Sequence, residues 1–401
     1  MKKICDLHIH SRYSGGTSNL INIKDLAQNC RIKGIEIVGT GDCLHPLWLK
    51  EIKINLEEDS DGLFSFPNIS QVKFVLQTEV ELLWKNNSKL KKAHFIILFP
   101  NSDKLKDVSE FIASFGNMNE NGRPILNISP EKFIISLNSF DKMIEVIPAH
   151  IFTPFYGILG NNLHFKSLIE ALGEGINYIH AVETGLSADP TMIRSITELN
   201  NLSIISNSDS HSLYFHRLGR EATVLGMNRV TYRDIINSIR KNKIIKTYEF
   251  NPSEGKYYYD GHRSSRHSSN NSYFCSPKRN IIYCPICGNT LTKGVLSKVY
   301  DLKDSEKPIY ENFQYIVPLL HLISAVYGGS EYNNKNLSLY REIVEAANGE
   351  FNIWENSIDL YPISYELCEV INKIKSGNYW FIPGYDGIYG KLQLGQIFNQ
   401  I

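Results

Sequence analysis

Over its first 250 residues the chain alternates short apolar stretches with amphipathic ones, and this rhythm narrows the folds open to it. Apolar runs suited to strands fall at 3–7, 35–38, 73–78, 94–98, 143–147, 178–182 and 203–206. Helical periodicity fills the gaps, at 23–33, 103–115, 130–139, 165–172, 190–199 and 232–241. Strand-then-helix alternation indicates an α/β protein with a parallel sheet. A strand count near seven favours barrel-like closure over an open sheet. In barrels of parallel strands, chemistry gathers where the strands end. Residues of metal-binding type stand there: His8, His10, Asp42, Glu79, His150, Glu183, Asp209 and His211.

Two of these positions form tight motifs. In Asp6-Leu7-His8-Ile9-His10-Ser11, the two histidines are two apart after an apolar entry. Residues two apart on a strand point to the same side, so both imidazoles can grip one ion. Asn207-Ser208-Asp209-Ser210-His211-Ser212 repeats the geometry with a carboxylate and an imidazole. Together these ligands suit zinc or manganese in hydrolytic chemistry. Further candidates are Asp42 and His45 in Gly39-Thr40-Gly41-Asp42-Cys43-Leu44-His45, Glu79 in Thr78-Glu79, His94 opening an apolar strand, and His150 in Pro148-Ala149-His150. Each alone has a plainer explanation, since a strand-end Asp often caps a helix and a lone His is often a satisfied core residue. The set as a whole does not.

Basic and acidic residues balance at 42 each, so the whole-chain charge says nothing about a nucleic-acid partner. An acidic residue at position 6 comes too early for a signal peptide, and no apolar run spans a bilayer. A cytoplasmic protein is expected. Seven cysteines, three of them between Cys275 and Cys287, fit local metal binding better than a disulfide framework.

The composition changes after Tyr248. Asn251-Pro252-Ser253-Glu254-Gly255 reads as a boundary, and Cys284-Pro285-Ile286-Cys287-Gly288 as a metal knuckle. Three regions follow: a catalytic unit at 1–250, a knuckle-bearing basic segment at 251–300, and a mixed α+β region at 301–401. Between Arg263 and Tyr300 there is no Asp or Glu, and Arg263, Lys278, Arg279, Lys293 and Lys298 are expected to meet DNA. Tyr273, Phe274 and Tyr283 among them suit base stacking. The 393–401 tail lacks the paired aromatics of a sliding-clamp peptide.

The N-terminal 250 residues resemble the polymerase and histidinol phosphatase (PHP) superfamily. That resemblance implies a distorted seven-strand barrel with two or three divalent ions, Zn, Mn or Mg, at the strand ends. It implies a first ion on His8, His10, Glu79 and Asp209. Glu79 would bridge to a second on His94 and His150. Asp42 or His45, with His211, would hold a third, although Ser14-Gly15-Gly16-Thr17 stands where many members supply a ligand. Asp209, Glu79 and His211 would be the catalytic residues. A carboxylate-bridged ion pair suits in-line displacement at phosphorus.

Further islands look like the endonuclease Q family. They are Gly39 to Pro46, Gly185-Leu186-Ser187-Ala188-Asp189-Pro190, Ser206 to His211 with Leu218-Gly219-Arg220-Glu221, and Glu254-Gly255-Lys256. Tyr259-Asp260-Gly261-His262-Arg263, the Cys284 knuckle and Pro383-Gly384-Tyr385-Asp386-Gly387 complete the series. The resemblance implies nicking of DNA 5′ to hypoxanthine, uracil, xanthine or abasic sites. It also implies a structural zinc on His262, Cys284 and Cys287. Ser264 and Ser265 stand where the family has a further Cys, which leaves Cys275 as the expected fourth ligand and His267 as the other candidate. Other readings are a small-molecule phosphatase of the PHP type, a nuclease subunit directed by a DNA-processing partner in a mobile-element or phage-defence complex, and a binding module on an inactive barrel. The C-terminal 150 residues weigh against the phosphatase, and the complete ligand set against the inactive barrel.

Overall fold

The computed structural model describes residues 1–305, 311–356, 360 and 363–394. The tail read above for a clamp peptide lies outside the described residues from 395 onward. β1 (Lys2–Asp6) runs parallel to β2 (Ile37–Gly39), and β2 runs parallel to β3 (Ile69–Asn86). The next step breaks the expected parallel pattern. β4 (Lys89–Phe99) pairs antiparallel with β3 through a turn at Asn87 and Ser88, whose φ values are 49° and 62°. Two successive left-handed residues make the hairpin turn that matches strand twist. β4 then pairs antiparallel with β5 (Glu145–Pro148). β6 (Ala181–Glu183) and β7 (Ser203–Ile205) form a separate parallel pair. β8 (Ala222–Gly226) lies antiparallel to β1 and carries β9 (Ile244–Glu249) on its other edge. The architecture is therefore mixed α/β rather than all-parallel.

The strands share a core without forming a continuous ladder. Cys5, Ile37, Val75, Ile96, Ile147, Ala181, Ile205 and Leu225, one from each of β1 to β8, fall in one fully buried cluster. Two seams interrupt the pairing. At one, Ile151 N–H donates to Glu183 O at 3.2 Å. At the other, Leu7 N–H donates to Asn207 Oδ1 at 2.7 Å, and Ser206 N–H to Thr223 Oγ1 at 2.8 Å. Asp6 ties the second seam by accepting from Ser208 N and Oγ at 3.0 and 2.6 Å.

Helices cover the outside. α1 (Ile23–Lys33) is capped by Asn22, which accepts from Asp25 N. It ends at Gly34, whose φ of 90° favours glycine. The helix expected at 190–199 stops at Arg194, and a 3-10 turn follows at Thr197–Asn201. Among the described residues, no helix is long and apolar enough to cross a membrane.

The C-terminal part is built onto this body. β10 (Asp260–His262) and β11 (Tyr273–Cys275) form a hairpin. β12 (Phe313–Tyr315) adds to the main sheet, parallel to β9. One apolar cluster runs from Ile9 to Leu394. Within it, Lys33 at the end of α1 meets Glu350 at 3.1 Å with both side chains 1 % exposed. Glu350 also accepts from Leu319 N at 3.0 Å and Tyr340 Oη at 2.7 Å, so the pair's remaining oxygens are used.

Candidate active site

Glu79, near the middle of the long β3, is the hub. His94 Nδ1 lies 2.9 Å and His150 Nε2 3.0 Å from its Oε1. His8 Nε2 is 3.6 Å from Oε1, and His10 Nε2 is 3.4 Å from Oε2. Asp209 Oδ1 completes the opposite side, 3.1 Å from His10 Nε2 and 3.7 Å from His8 Nε2. Two groups of ligand atoms close enough to share an ion result: His8, His10 and Asp209, and Glu79, His94 and His150. Ligands held about 2.1 Å from a tetrahedral ion lie about 3.4 Å apart, so these spacings suit divalent cations.

The tautomers agree with that reading. His8 Nδ1 faces Glu183 at 3.0 and 3.1 Å, which leaves Nε2 facing the site. His8 Nε2 is fully buried and has no hydrogen-bond partner. A buried, orphaned imidazole nitrogen among carboxylates is what a metal ligand looks like before the ion is counted. His10 Nδ1 faces Asp42 Oδ1 at 3.1 Å, and His94 Nε2 faces Glu81 Oε2 at 3.1 Å. Three of the four histidines thus carry a carboxylate behind the ring. Burial opposes a charge on His8, but Glu183, Glu79 and Asp209 outweigh it and raise its pKa well above the ordinary value. Burial likewise opposes charge on Glu79, yet His94, His8 and Arg123 hold its carboxyl well below the usual range.

Asp42, His45 and His211, expected to hold a third ion, fall outside the groups of three or more close ligand atoms. No ligand group among the described residues contains any of the three. The oxygens of Asp42 are engaged by His10 Nδ1, by Ser11 N at 2.6 Å and by Ser14 Oγ at 2.9 Å. His45 caps the helix at Pro46–Asn55 and stacks on Tyr13, ring centroids 4.2 Å apart. His211 lies at the edge, its ring 4.5 Å from that of His10 and its Nδ1 3.0 Å from Asp209 O.

Sequence reasoning missed three groups. Glu183 was read only as a strand-end acid, and Glu81 was passed over. Arg123 NH1 reaches Glu79 Oε2 at 2.9 Å. Its only local signal is Asn121-Gly122-Arg123, and Gly122 is obligatory, since a Cβ there would meet Asp42 Oδ2 at 2.4 Å.

The knuckle forms a third, separate group: His262, His267, Cys284 and Cys287. The fourth member is His267, not the expected Cys275. Cys275 lies opposite Asp260 in the hairpin and packs with Leu291 in a small apolar cluster. His262 Nε2 meets Thr290 O at 2.9 Å and His267 Nδ1 meets Asn271 O at 2.6 Å. Their other nitrogens face sulfur: His262 Nδ1 is 3.5 Å from Cys287 Sγ and His267 Nε2 is 3.2 Å from Cys284 Sγ. The backbone N–H of Asn289, with these neighbours, pulls the Cys287 thiol down to about 6. Donor set and tautomers both fit a structural zinc.

Of the cations expected to meet DNA, Arg263, Lys278 and Arg279 are exposed. Lys293 is exposed and paired with Asp301 at 3.2 Å. Lys298 is a correction: it is buried and donates to Phe165 O at 2.7 Å, where it ties the segment to the body.

A cleft of about 530 Å³ opens beside Asp209. Gly185, Leu186 and Ser187 form one wall, and Tyr257, Tyr258 and Tyr389 contribute aromatic surface. Arg217, Arg220, Lys256 and Glu254 add charge. His216 stays neutral, since burial and then His321 lower its pKa to about 3.

Two solved structures share this arrangement from end to end. A lesion-specific endonuclease Q from Pyrococcus furiosus superposes with a TM-score of 0.86 at 28% identity, covering 100% of this chain and 97% of that one. An endonuclease Q bound to a 27-mer duplex substrate, with an abasic lesion at its active site, superposes with a TM-score of 0.87 at 27% identity, covering 100% and 98%. The chain is therefore similar to endonuclease Q over its whole length. An uncharacterized protein of Methanocaldococcus jannaschii is 34% identical over 222 residues, 53% of this chain and 28% of that protein. The chain thus spans less than a third of that relative's length. No family model matches the chain. The endonuclease Q likeness spans the segments that carry the three ligand groups, the cleft and the C-terminal body.

Proposed function

We propose that the protein is a metal-dependent DNA endonuclease that nicks 5′ to deaminated bases or abasic sites. The observation that carries this reading is the end-to-end match to two endonuclease Q structures over a site with a buried, orphaned His8 Nε2. We read the strand ring as a distorted seven-strand PHP barrel opened at its two seams. Residues 1–250 would be the catalytic unit, 251–300 a zinc-bearing DNA-contacting segment and 301–401 a recognition region.

Bound divalent ions would supply Lewis acidity for displacement at phosphorus. His8, His10 and Asp209 would hold one, and His94 and His150 another, with Glu79 between them. Glu183, Asp42 and Glu81 orient His8, His10 and His94. The Arg123 guanidinium faces the site and offsets charge on the phosphate. His211, at the rim with Nδ1 turned to Asp209 O, presents Nε2 as a proton acceptor. One zinc on His262, His267, Cys284 and Cys287 would fix the hairpin that carries Arg263, beside Lys278 and Arg279.

The cleft beside Asp209 has room for one extruded nucleotide. A base cannot be inspected inside the stack, and weakly paired lesions cost less to extrude. Tyr257 and Tyr258 offer stacking surface, and the Gly185–Ser187 wall offers backbone polar groups.

The test is incision of matched duplexes containing hypoxanthine, uracil, an abasic site or no lesion, with and without added divalent metal. The expected product is a metal-dependent nick 5′ to the lesion with the base still attached. Release of free hypoxanthine or uracil would mean glycosylase chemistry and overturn the assignment.

A further inference from the structure

The segment at 383–390 passes between the knuckle and the cleft and is bonded to both. On the cleft side, Gly384 N–H donates to Ser253 O at 2.8 Å, Gly387 N–H to Lys256 O at 3.0 Å and Gly390 N–H to Glu254 O at 2.9 Å. The backbones run so close that a Cβ at Gly384 would meet Gly255 O at 2.1 Å. On the knuckle side, Tyr259 N–H donates to Gly384 O at 2.9 Å, and the Tyr385 ring stacks on Phe274 with centroids 4.5 Å apart. Tyr389, at the far end of this strap, reaches the cleft, where Lys256 Nζ lies 4.6 Å from its ring centroid.

Asp386 is the charged joint of the strap. Its side chain is buried and accepts from Arg263 N at 2.9 Å, Thr292 Oγ1 at 2.9 Å and Arg266 Nη2 at 2.8 Å, with Arg266 Nε at 2.6 Å. A carboxylate offers about four acceptor sites, so these donors fill it. Its backbone is left-handed, with a φ of 42°, a conformation the surroundings must hold in place. Two of its partners adjoin knuckle ligands: Arg263 follows His262, and Arg266 precedes His267. Arg263 and Arg266 also bound the 3-10 turn at Ser264–Arg266, which carries the chain from His262 to His267. That turn delivers the ligand found in place of the expected Cys275.

Resting on the zinc site and the DNA reading proposed above, we propose that Asp386 is a positioning residue that delivers His267 to the zinc and locks the filled knuckle to the Lys256–Tyr389 edge of the cleft. Zinc occupancy and grip on DNA then become one property. A knuckle without metal frees the 3-10 turn, the turn frees Asp386, and the strap loses the anchor that places Tyr389. By linkage the coupling is reciprocal, so DNA at the cleft edge tightens the hold on zinc.

Asp386→Asn keeps the side-chain shape and suits a left-handed backbone, but removes the charge and one acceptor. Zinc affinity is measured on the full chain by competition with a chromogenic chelator, and the zinc lost in His267→Ala marks the knuckle's share. In Asp386→Asn that share should bind roughly 10-fold more weakly. The Kd for a labelled abasic duplex is then measured for Asp386→Asn, His267→Ala and the double variant. Each single change should weaken binding by at least about 5-fold, and the double should be no weaker than the worse single. Losses that multiply in the double variant would overturn the proposal, and so would unchanged zinc affinity in Asp386→Asn. If Asp386→Asn does not fold, Arg266→Gln, on a half-exposed side chain, carries both measurements with the same outcomes. Should the unaltered protein hold knuckle zinc but no DNA, the proposed function fails, while the zinc measurement still decides whether Asp386 delivers His267. A folded protein without knuckle zinc overturns the coupling itself.

Discussion

At the scale of single residues, the site is a set of imidazoles whose directions are set by carboxylates behind them. Asp42, His150 and Asp209 also hold positive φ values of 38°, 32° and 45°. Non-glycine residues in that region cost energy and cluster where side chains must be aimed. Asp209→Asn keeps the shape but removes the charge; DNA binding should survive while nicking falls at least about 100-fold. Near-normal nicking by that variant would remove Asp209 from the ligand set. Glu183→Gln should weaken metal affinity about 10- to 100-fold through the His8 tautomer, measured by titrating metal into the apo protein. Unchanged affinity would leave Glu183 a merely structural acid. The candidate ligands were legible in sequence as metal-type residues just beyond strand ends, although His8, His10, Asp209 and His211 lie past β1 and β7 rather than on them. Their backing groups were not. Glu183, Glu81 and Arg123 lie far from their partners in sequence or in plain surroundings, and only the fold brings them together.

At the scale of elements, the strand–helix rhythm located most segments but missed the strands at Ala222–Gly226 and Ile244–Glu249 and the antiparallel pairings of β3 with β4 and β1 with β8. Asn87-Ser88 is a two-residue turn, and reading it as a hairpin would have shown the sheet to be mixed. The knuckle was legible from Cys284 and Cys287, while its fourth member depended on how the 263–272 loop returns. His267→Ala should lower zinc stoichiometry and loosen the hairpin, whereas Cys275→Ser should leave metal content unchanged. Metal analysis of the two purified variants decides this, and the reverse pattern restores Cys275 as ligand. Beneath the cleft lies a second acidic pair. Glu221 accepts from Leu186 N at 3.1 Å and Phe250 N at 3.1 Å, and Glu249 from Ser206 Oγ at 2.5 Å. Burial raises both carboxyls, helped by the Glu249 charge at Glu221 and by Asp189 at Glu249, which rises to about 7. The folded form therefore holds protons that the unfolded chain releases near 4.5. That contribution is complete below 4.5 and is lost as the pH rises through about 7. Thermal stability should drop as the pH rises from about 5 to about 8, and Glu249→Gln should flatten the drop. An unchanged slope in the variant would assign it to other groups.

At the scale of the whole molecule, the C-terminal part is continuous with the core of the catalytic part. β12 extends the main sheet, and the Lys33–Glu350 pair sits inside the shared apolar cluster. Removing one member of such a pair leaves a buried charge alone, at a cost of about 3–5 kcal/mol. Glu350→Ala should lower unfolding free energy by that amount in denaturant titrations, and a loss under about 1 kcal/mol would mean the contact is incidental. The sequence showed that this region exists but not that it is docked, because docking depends on which face of α1 meets which helix. The same long reach has a consequence in time. Asp6 waits for Ser208 and His10 for Asp209, each made about two hundred residues later. At roughly 5–20 residues per second, that gap lasts roughly 10–40 seconds. During that interval the histidines have no Asp209 beside them, so the complete ligand set proposed for the ion can exist only once residue 209 has been synthesised. Ions bound earlier would be held by a weaker, incomplete set and exchange freely with the cell's pool.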